Sequence, residues 1–358
     1  MSFSRRVFLG VAGLGLVACG DDSVATVDEL AVLKDLADIV ARPSYATLKT
    51  ASDAFKSAVE ALVASASEAT LTAAQAAWKE TQRTWNQTRS FAFGPAKDIE
   101  GNIRWKLGCD VDSVEETITA GPPFEPSSLG TSRKGLPALE YLLFDPEGGN
   151  AAIVEKLVGD ADRLSFVGAL AADLATQIDA LVTAWDAHAG ELATAGEGSE
   201  VFKSPKDAMD AVYNQMLYVA DLAIAQIKDP LLGSKGTGGL SPALEEARLS
   251  DNTLSDTFAQ LASVTSVFEG SYGDGSGLGL TALLRDRSPD LDDQLRSALA
   301  AAKESLEAIP PPLRTALAGD LGVLNTTLER LRDVKKLLTA DIATALGVTI
   351  SFSDMDGD

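Results

Sequence analysis

Arg133-Lys134-Gly135-Leu136-Pro137-Ala138-Leu139-Glu140-Tyr141-Leu142-Leu143-Phe144 is a short apolar segment with a proline near its start and one carboxylate inside it. Proline suits the first turn of a helix, where its missing N–H costs no hydrogen bond and its φ is already helical. Leu136, standing before a proline, is pushed away from the α region, so the spacing predicts a helix over 137–144. At about 100° per residue, Glu140 falls between Leu143 and Phe144, with Leu139 a little further round. A carboxylate in an apolar arc must gain a cation, gain hydrogen-bond donors or take up a proton. The expected partner of Glu140 is Arg89 or Arg104.

Working outward, helical periodicity recurs over most of the chain. It predicts helices over 27–41, 45–66, 71–91, 102–119, 151–188, 204–228, 242–268, 289–309 and 312–346, with Pro- and Gly-rich breakers between them. Leu71, Trp78 and Trp85 recur every seven residues and form one apolar stripe, with Gln82 and Arg89 on a parallel polar line. Arg89 lies four residues beyond Trp85, in reach of a carboxylate beside that stripe. No run alternates as a strand would. The fold class is all-α, drawn as two helical-bundle halves. The expected division is 28–190, carrying the Glu140 segment, then a Gly/Glu/Ser linker at 191–203 and a second bundle at 204–358 with an acidic tail. Trp85-Asn86-Gln87 and Tyr213-Asn214-Gln215 hint that the halves arose by duplication.

The start of the chain reads as an address. Ser4-Arg5-Arg6-Val7-Phe8-Leu9 is a twin-arginine pattern, and Leu16-Val17-Ala18-Cys19 has the form of a lipobox cut before Cys19. Residues 1–19 are expected to be a lipoprotein signal, and 20–27 a tether. Cys19 would carry the lipid, holding the protein on a membrane facing the periplasm. Gly20 rather than Asp after it favours the outer membrane over the inner. Cys109 is then a lone thiol.

Composition narrows the chemistry. A net charge of −22 and a pI near 4.4 argue against nucleic-acid binding, which needs basic surface. No H-E-x-x-H, G-x-S-x-G or Walker pattern occurs. With His188 the single histidine, any metal site would be mainly oxygen-ligated, which suits hard cations and ferric iron better than zinc.

Several blocks resemble the imelysin-like proteins: residues 85–95 (Trp-Asn-Gln-Thr-Arg-Ser-Phe-Ala-Phe-Gly-Pro), 135–144, 229–233, 270–284 and the ending 352–358. That resemblance implies two related helical bundles, an extracytoplasmic location, a link to iron uptake and a peptidase designation. The family signature is G-x-H-x-x-E. Here Gly135 and Glu140 match it, but Pro137 stands in the histidine position, and proline can neither ligate a metal nor shuttle a proton. The resemblance therefore places a ligand or metal site around Glu140, with Trp85, Arg89 and Arg104 as neighbours, and assigns no catalytic residue. Three functions follow in order of preference. The first is a non-catalytic binding or accessory lipoprotein of iron or haem uptake, working with envelope uptake proteins. The second is a structural or interaction module of an envelope complex, and the third a metallopeptidase.

Overall fold

Short side-chain caps and a few proline positions fix the helix boundaries in the computed structural model, which describes residues 27–104, 108–236 and 238–351. The expected signal with Cys19, most of the tether, Trp105 and the acidic tail lie outside the described residues. Helix α1 (Glu29–Asp35) is capped by Asp28, whose carboxylate accepts the Leu30 N–H. A π-helical turn (Leu36–Ala41) then runs straight into α2 (Arg42–Ala64). The stop expected at Arg42-Pro43 does not occur. Pro43 sits in the first turn of α2, and the wider π turn relieves the clash its ring would make with an α-helical carbonyl.

Ser67 and Thr70 cap each other's backbone at the start of α3 (Glu68–Gln87), which a 3-10 turn (Arg89–Phe91) extends. The helix expected over 102–119 is two: α4 (Pro95–Ile103) and α5 (Val111–Ala120). Arg104 is extended between them, and Asp110 starts α5 by accepting the Ser113 N–H. Helix α6 (Gly135–Leu143) carries Glu140 and begins two residues before Pro137. The helix expected over 151–188 is likewise two, α7 (Gly149–Gly159) and α8 (Ala161–Ala193), because the Asp160 carboxylate accepts the N–H groups of Asp162 and Arg163 and opens a new helix.

After Ser204 comes α9 (Pro205–Leu232), which tolerates Pro230 in its last turn. The largest correction follows. The helix expected over 242–268 is a 3-10 turn (Pro242–Leu244), then an irregular loop, then α10 (Thr253–Glu269). A two-strand hairpin, β1 (Ser271–Tyr272) and β2 (Gly275–Ser276), precedes α11 (Leu280–Arg287) and α12 (Pro289–Glu307). The last expected helix is also divided, into α13 (Leu313–Leu317), α14 (Leu321–Leu337) and α15 (Ala343–Leu346), with a π turn (Leu338–Ile342) before α15.

The protein is all-α. Helix α2 packs between α3 and α8, and α4 and α6 lie on α8. On the other side, α9 packs on α10 and α14, and α12 on α14. The two groups meet where α3 lies along α10 and where the turn after α3 meets α9. The predicted stripe of Leu71, Trp78 and Trp85 is fully buried, and the apolar core is continuous from Val32 to Leu346. Tyr45 stacks on Trp185 at 5.0 Å and donates to the Phe91 carbonyl at 3.0 Å, so its polar tip is satisfied inside that core.

Candidate functional site: a buried polar seam between the two helix groups

Helix α6 is placed by backbone contacts at its first turn. Gly135 has φ +73°, and a Cβ there would stand 2.4 Å from the Ile103 carbonyl oxygen and 2.7 Å from that of Asn102. Only glycine allows this approach between α6 and the end of α4. Trp78 donates its indole N–H to the Leu136 carbonyl at 3.1 Å, tying α6 to the apolar stripe of α3. These contacts fix the direction in which Glu140 leaves the helix.

Glu140 is 8% exposed and crosses to the second helix group. Its Oε1 accepts the Ser250 backbone N–H at 2.9 Å and the Ser250 hydroxyl at 2.7 Å. Ser250 belongs to the loop before α10, where the sequence pattern had placed a helix. Burial raises the Glu140 pKa above the ordinary carboxylate value; the two Ser250 donors and the nearby Arg104 charge pull it back part of the way.

Deeper in the seam, Asp256 on α10 is fully buried. Three side-chain amides converge on it: Gln82 Nε2 at 3.0 Å, Asn86 Nδ2 at 3.0 Å and Asn252 Nδ2 at 2.9 Å. Burial pushes its carboxyl up to about 7, against the pull of Arg104 and Gln82. The seam continues with Gln260 donating to Asn86 at 3.1 Å and the Ser90 and Ser263 hydroxyls 2.8 Å apart. Polar residues four apart from the cap of α10 into the helix (Asn252, Asp256, Gln260) thus face polar residues four apart along α3 and the turn that extends it (Gln82, Asn86, Ser90).

The expected guanidinium partners are present but bind other acids. Arg104 pairs with Glu246, which also accepts from Gln226. It influences Glu140 through its charge, without a direct ion pair. Burial opposes the Arg104 charge, but Glu246, Asp256 and Glu140 together hold it above the ordinary guanidinium value. Arg89 is 5% exposed and pairs with Glu100 at 2.5 Å, its guanidinium lying 5.5 Å from the Trp85 ring and 6.0 Å from that of Tyr218. Direct pairing of Glu140 with Arg89 or Arg104 is therefore corrected: its donors come from Ser250. Pro137 is half-buried in the first turn of α6. Cys109 is near enough that burial and then the Glu140 charge push its thiol up to about 11, so it stays protonated and weakly nucleophilic. His188 lies elsewhere, against Phe93, Trp185 and Phe202, and burial lowers its pKa.

A cleft of about 330 Å³ opens beside Ser250, lined also by Thr72, Gln75, Phe144, Asn150 and Asp251. Gln75 holds one wall by donating to the Leu143 carbonyl at 2.7 Å and to Asn150 at 2.9 Å. Ser250, the partner of Glu140, forms part of the wall of this cleft.

Residues 41–337 match the family model for imelysin, which carries the peptidase M75 designation. The chain belongs to the imelysin family. Among its relatives, iron-regulated protein A of Synechococcus elongatus is 29% identical over 324 residues, covering 88% of this chain and 85% of that protein. The fold is shared with the crystal structure of a Parabacteroides distasonis protein provisionally assigned as an iron-regulated protein A precursor (TM-score 0.76, 21% identity, 90% of this chain and 97% of that one). It is shared too with an imelysin-like protein from Psychrobacter arcticum (TM-score 0.72, 19% identity, 92% and 100%).

A metallopeptidase designation implies a resident catalytic metal, and the donors of this imelysin do not fit one. A hydrolytic zinc takes about three protein ligands and an activated water. Among the described residues, no three or more His, Cys, Asp or Glu side chains converge in that way. Glu140, Glu246 and Asp256 are committed to Ser250, to Arg104 and Gln226, and to three amides. Pro137 supplies no donor.

Proposed function

We propose that this imelysin is a non-catalytic binding component of iron acquisition, exported through its twin-arginine signal and held by lipid on Cys19 at the periplasmic face, in the outer membrane rather than the inner. Iron is its cargo, taken in an organic chelate such as haem or a siderophore-type complex and passed to envelope uptake proteins. One observation carries this reading: the family's motif carboxylate, Glu140, is held by Ser250 across the two helix groups, beside a cleft. A ligand entering that cleft would meet a contact able to open or tighten, while the engaged carboxylates favour a chelate over a bare ion. The name of the Synechococcus relative supports the link to iron.

A second reading, a structural or interaction module of an envelope complex, draws on the pairing of Arg89 with Glu100 and of Arg104 with Glu246. Buried pairs of this kind specify packing without requiring a ligand. Thermal-shift measurements on the exported protein with ferric iron, haem, copper and a ferric siderophore-type chelate separate the two. The binding reading expects a rise in Tm with haem or the ferric chelate, since a ligand selective for the native state stabilises it. No shift with any of them would leave the module reading standing.

A further inference from the structure

Helices α9, α10, α12 and α14 form a bundle with one seam left open. Helix α9 packs on α10 and α14, and α12 on α14, whereas α10 and α12 are tied at their ends. Arg296, early in α12, donates to Glu269 at the end of α10 at 3.0 Å, and Arg314 in α13 pairs with Asp251 before α10 at 2.5 Å. The two helices therefore run antiparallel, and between the ties lies a groove of about 980 Å³. Its α10 wall presents Ser255, Ala262 and Ser266 around Phe258, and its α12 wall Leu299, Ala300 and Leu306. Each cation of the lining has an acid beside it: Arg83 with Glu80, Arg296 with Glu269 and Lys303 with Glu307. Small side chains on one wall and charges already paired suit an apolar, uncharged helix.

The chain itself carries such a segment. The run from Val7 to Val17 has no charge and lies outside the described residues. Wound as a helix, it puts Val7, Val11 and Leu14 on one face beside Gly10. That helix is about 16 Å long, within the roughly 22 Å of α10 between Leu254 and Glu269; an extended run would need about 36 Å. The described body begins close to the groove. Helix α1 ends at Asp35, which accepts the Leu278 N–H at 2.7 Å; Gly277 donates to the Gly270 carbonyl at 2.9 Å, and Ser271 lines the groove. With α1 about 10 Å long, Val27 stands within about 20 Å of the Ser271 end. Residues 18–26 span up to about 30 Å, enough to bring Val17 there. Arg5 and Arg6 are the only charges in the first 20 residues, and the rest of the chain has 28 basic (30 − 2) against 52 acidic residues, so the body attracts the charged end of the segment.

We propose that, in the unprocessed chain, Val7–Val17 docks as a helix in the α10–α12 groove and closes the open seam of the bundle. The run enters at Ser271 and its start lies toward Leu254 and Ile309. An exposed apolar run and an exposed apolar groove are both aggregation hazards, and here each covers the other. Cleavage before Cys19 removes the occupant and leaves the groove open in the exported protein. The docking requires neither lipid on Cys19 nor iron, so it stands or falls apart from the iron reading.

The test is photo-crosslinking in the full chain, with Cys19→Ser keeping the segment attached and Lys303, on the exposed rim of the groove, replaced by p-benzoylphenylalanine. Irradiation is expected to join position 303 to a residue within 7–17 of the same chain, with a yield independent of protein concentration. The same label at Val158, 65% exposed on α7, should give no such product. Leu14→Asp should lower the yield about tenfold or more, because it places a charge on the docked face. Leu14 lies outside the described body, so this change leaves the groove itself intact. Ala300→Trp, at an exposed position on the α12 wall, should lower the yield as well by filling the groove. Absence of a product within 7–17 would overturn the proposal, as would products formed only between chains or a yield that both substitutions leave unchanged.

Discussion

Ser250, more than either arginine, decides what Glu140 can do. A buried carboxylate with a raised pKa sits in a place that disfavours its charge, so removing the charge and removing its donors should act in opposite directions. Ser250→Ala strips the hydroxyl donor from a buried acceptor and should cost about 1–3 kcal/mol of stability by urea unfolding. Glu140→Gln keeps an acceptor oxygen and removes the charge, so it should be neutral or stabilising; a loss as large as that of Ser250→Ala would show that the charge itself holds the seam. Asp256 gives the pH dependence. Its folded carboxyl stands at about 7 against an ordinary 3.8. An acid raised on folding contributes stability that is fully present below its unfolded pKa and lost as pH rises through the folded one. Stability should therefore fall between about pH 4 and 7, and Asp256→Asn should flatten that slope. His188 acts with the opposite sign: its lowered pKa means that stability falls as pH drops below its ordinary 6.5.

Loop and helix boundaries explain which parts of the site were legible in sequence. The apolar arc around Glu140 and the Leu71–Trp78–Trp85 stripe could be read directly from periodicity, and both are buried as the spacing predicts. Ser250 could not, because the apolar pattern running through 242–268 predicts one helix, whereas the chain turns irregularly until α10 begins at Thr253. A signal for Asp256 was present: Asn252, Asp256 and Gln260 repeat every four residues, matching Gln82, Asn86 and Ser90 along α3 and the turn that extends it. Pairing two such stripes, however, requires knowing that α3 and α10 touch, a contact between residues some 170 positions apart. The guanidinium partners differ from expectation for the same reason: Glu246 lies in that loop, and Glu100 in α4, which starts before the helix the sequence predicts. Gly135 belongs to this scale as well. Its positive φ and contact with the Ile103 carbonyl leave no room for a Cβ, so Gly135→Ala should destabilise by about 2–5 kcal/mol, seen as a large drop in Tm.

Across the whole molecule, the polar seam is the main interruption of a continuous apolar core. Buried side-chain networks of this kind fix one relative arrangement of the packed elements, and each unpaired group within them, here Gln82 Oε1 and Gln260 Oε1, is costly. On the binding reading proposed above, a ligand that reaches the cleft beside Ser250 acts on that arrangement. The most direct measurement is equilibrium binding of haem and of a ferric siderophore-type chelate to the full, natively exported chain, compared with Ser250→Ala. We expect saturable binding of at least one of them by the wild type, weakened in the variant because the cleft wall at Ser250 loses its hydroxyl tie to Glu140. Equal binding by the two proteins, or no binding together with stoichiometric zinc and chelator-sensitive proteolysis, would contradict it.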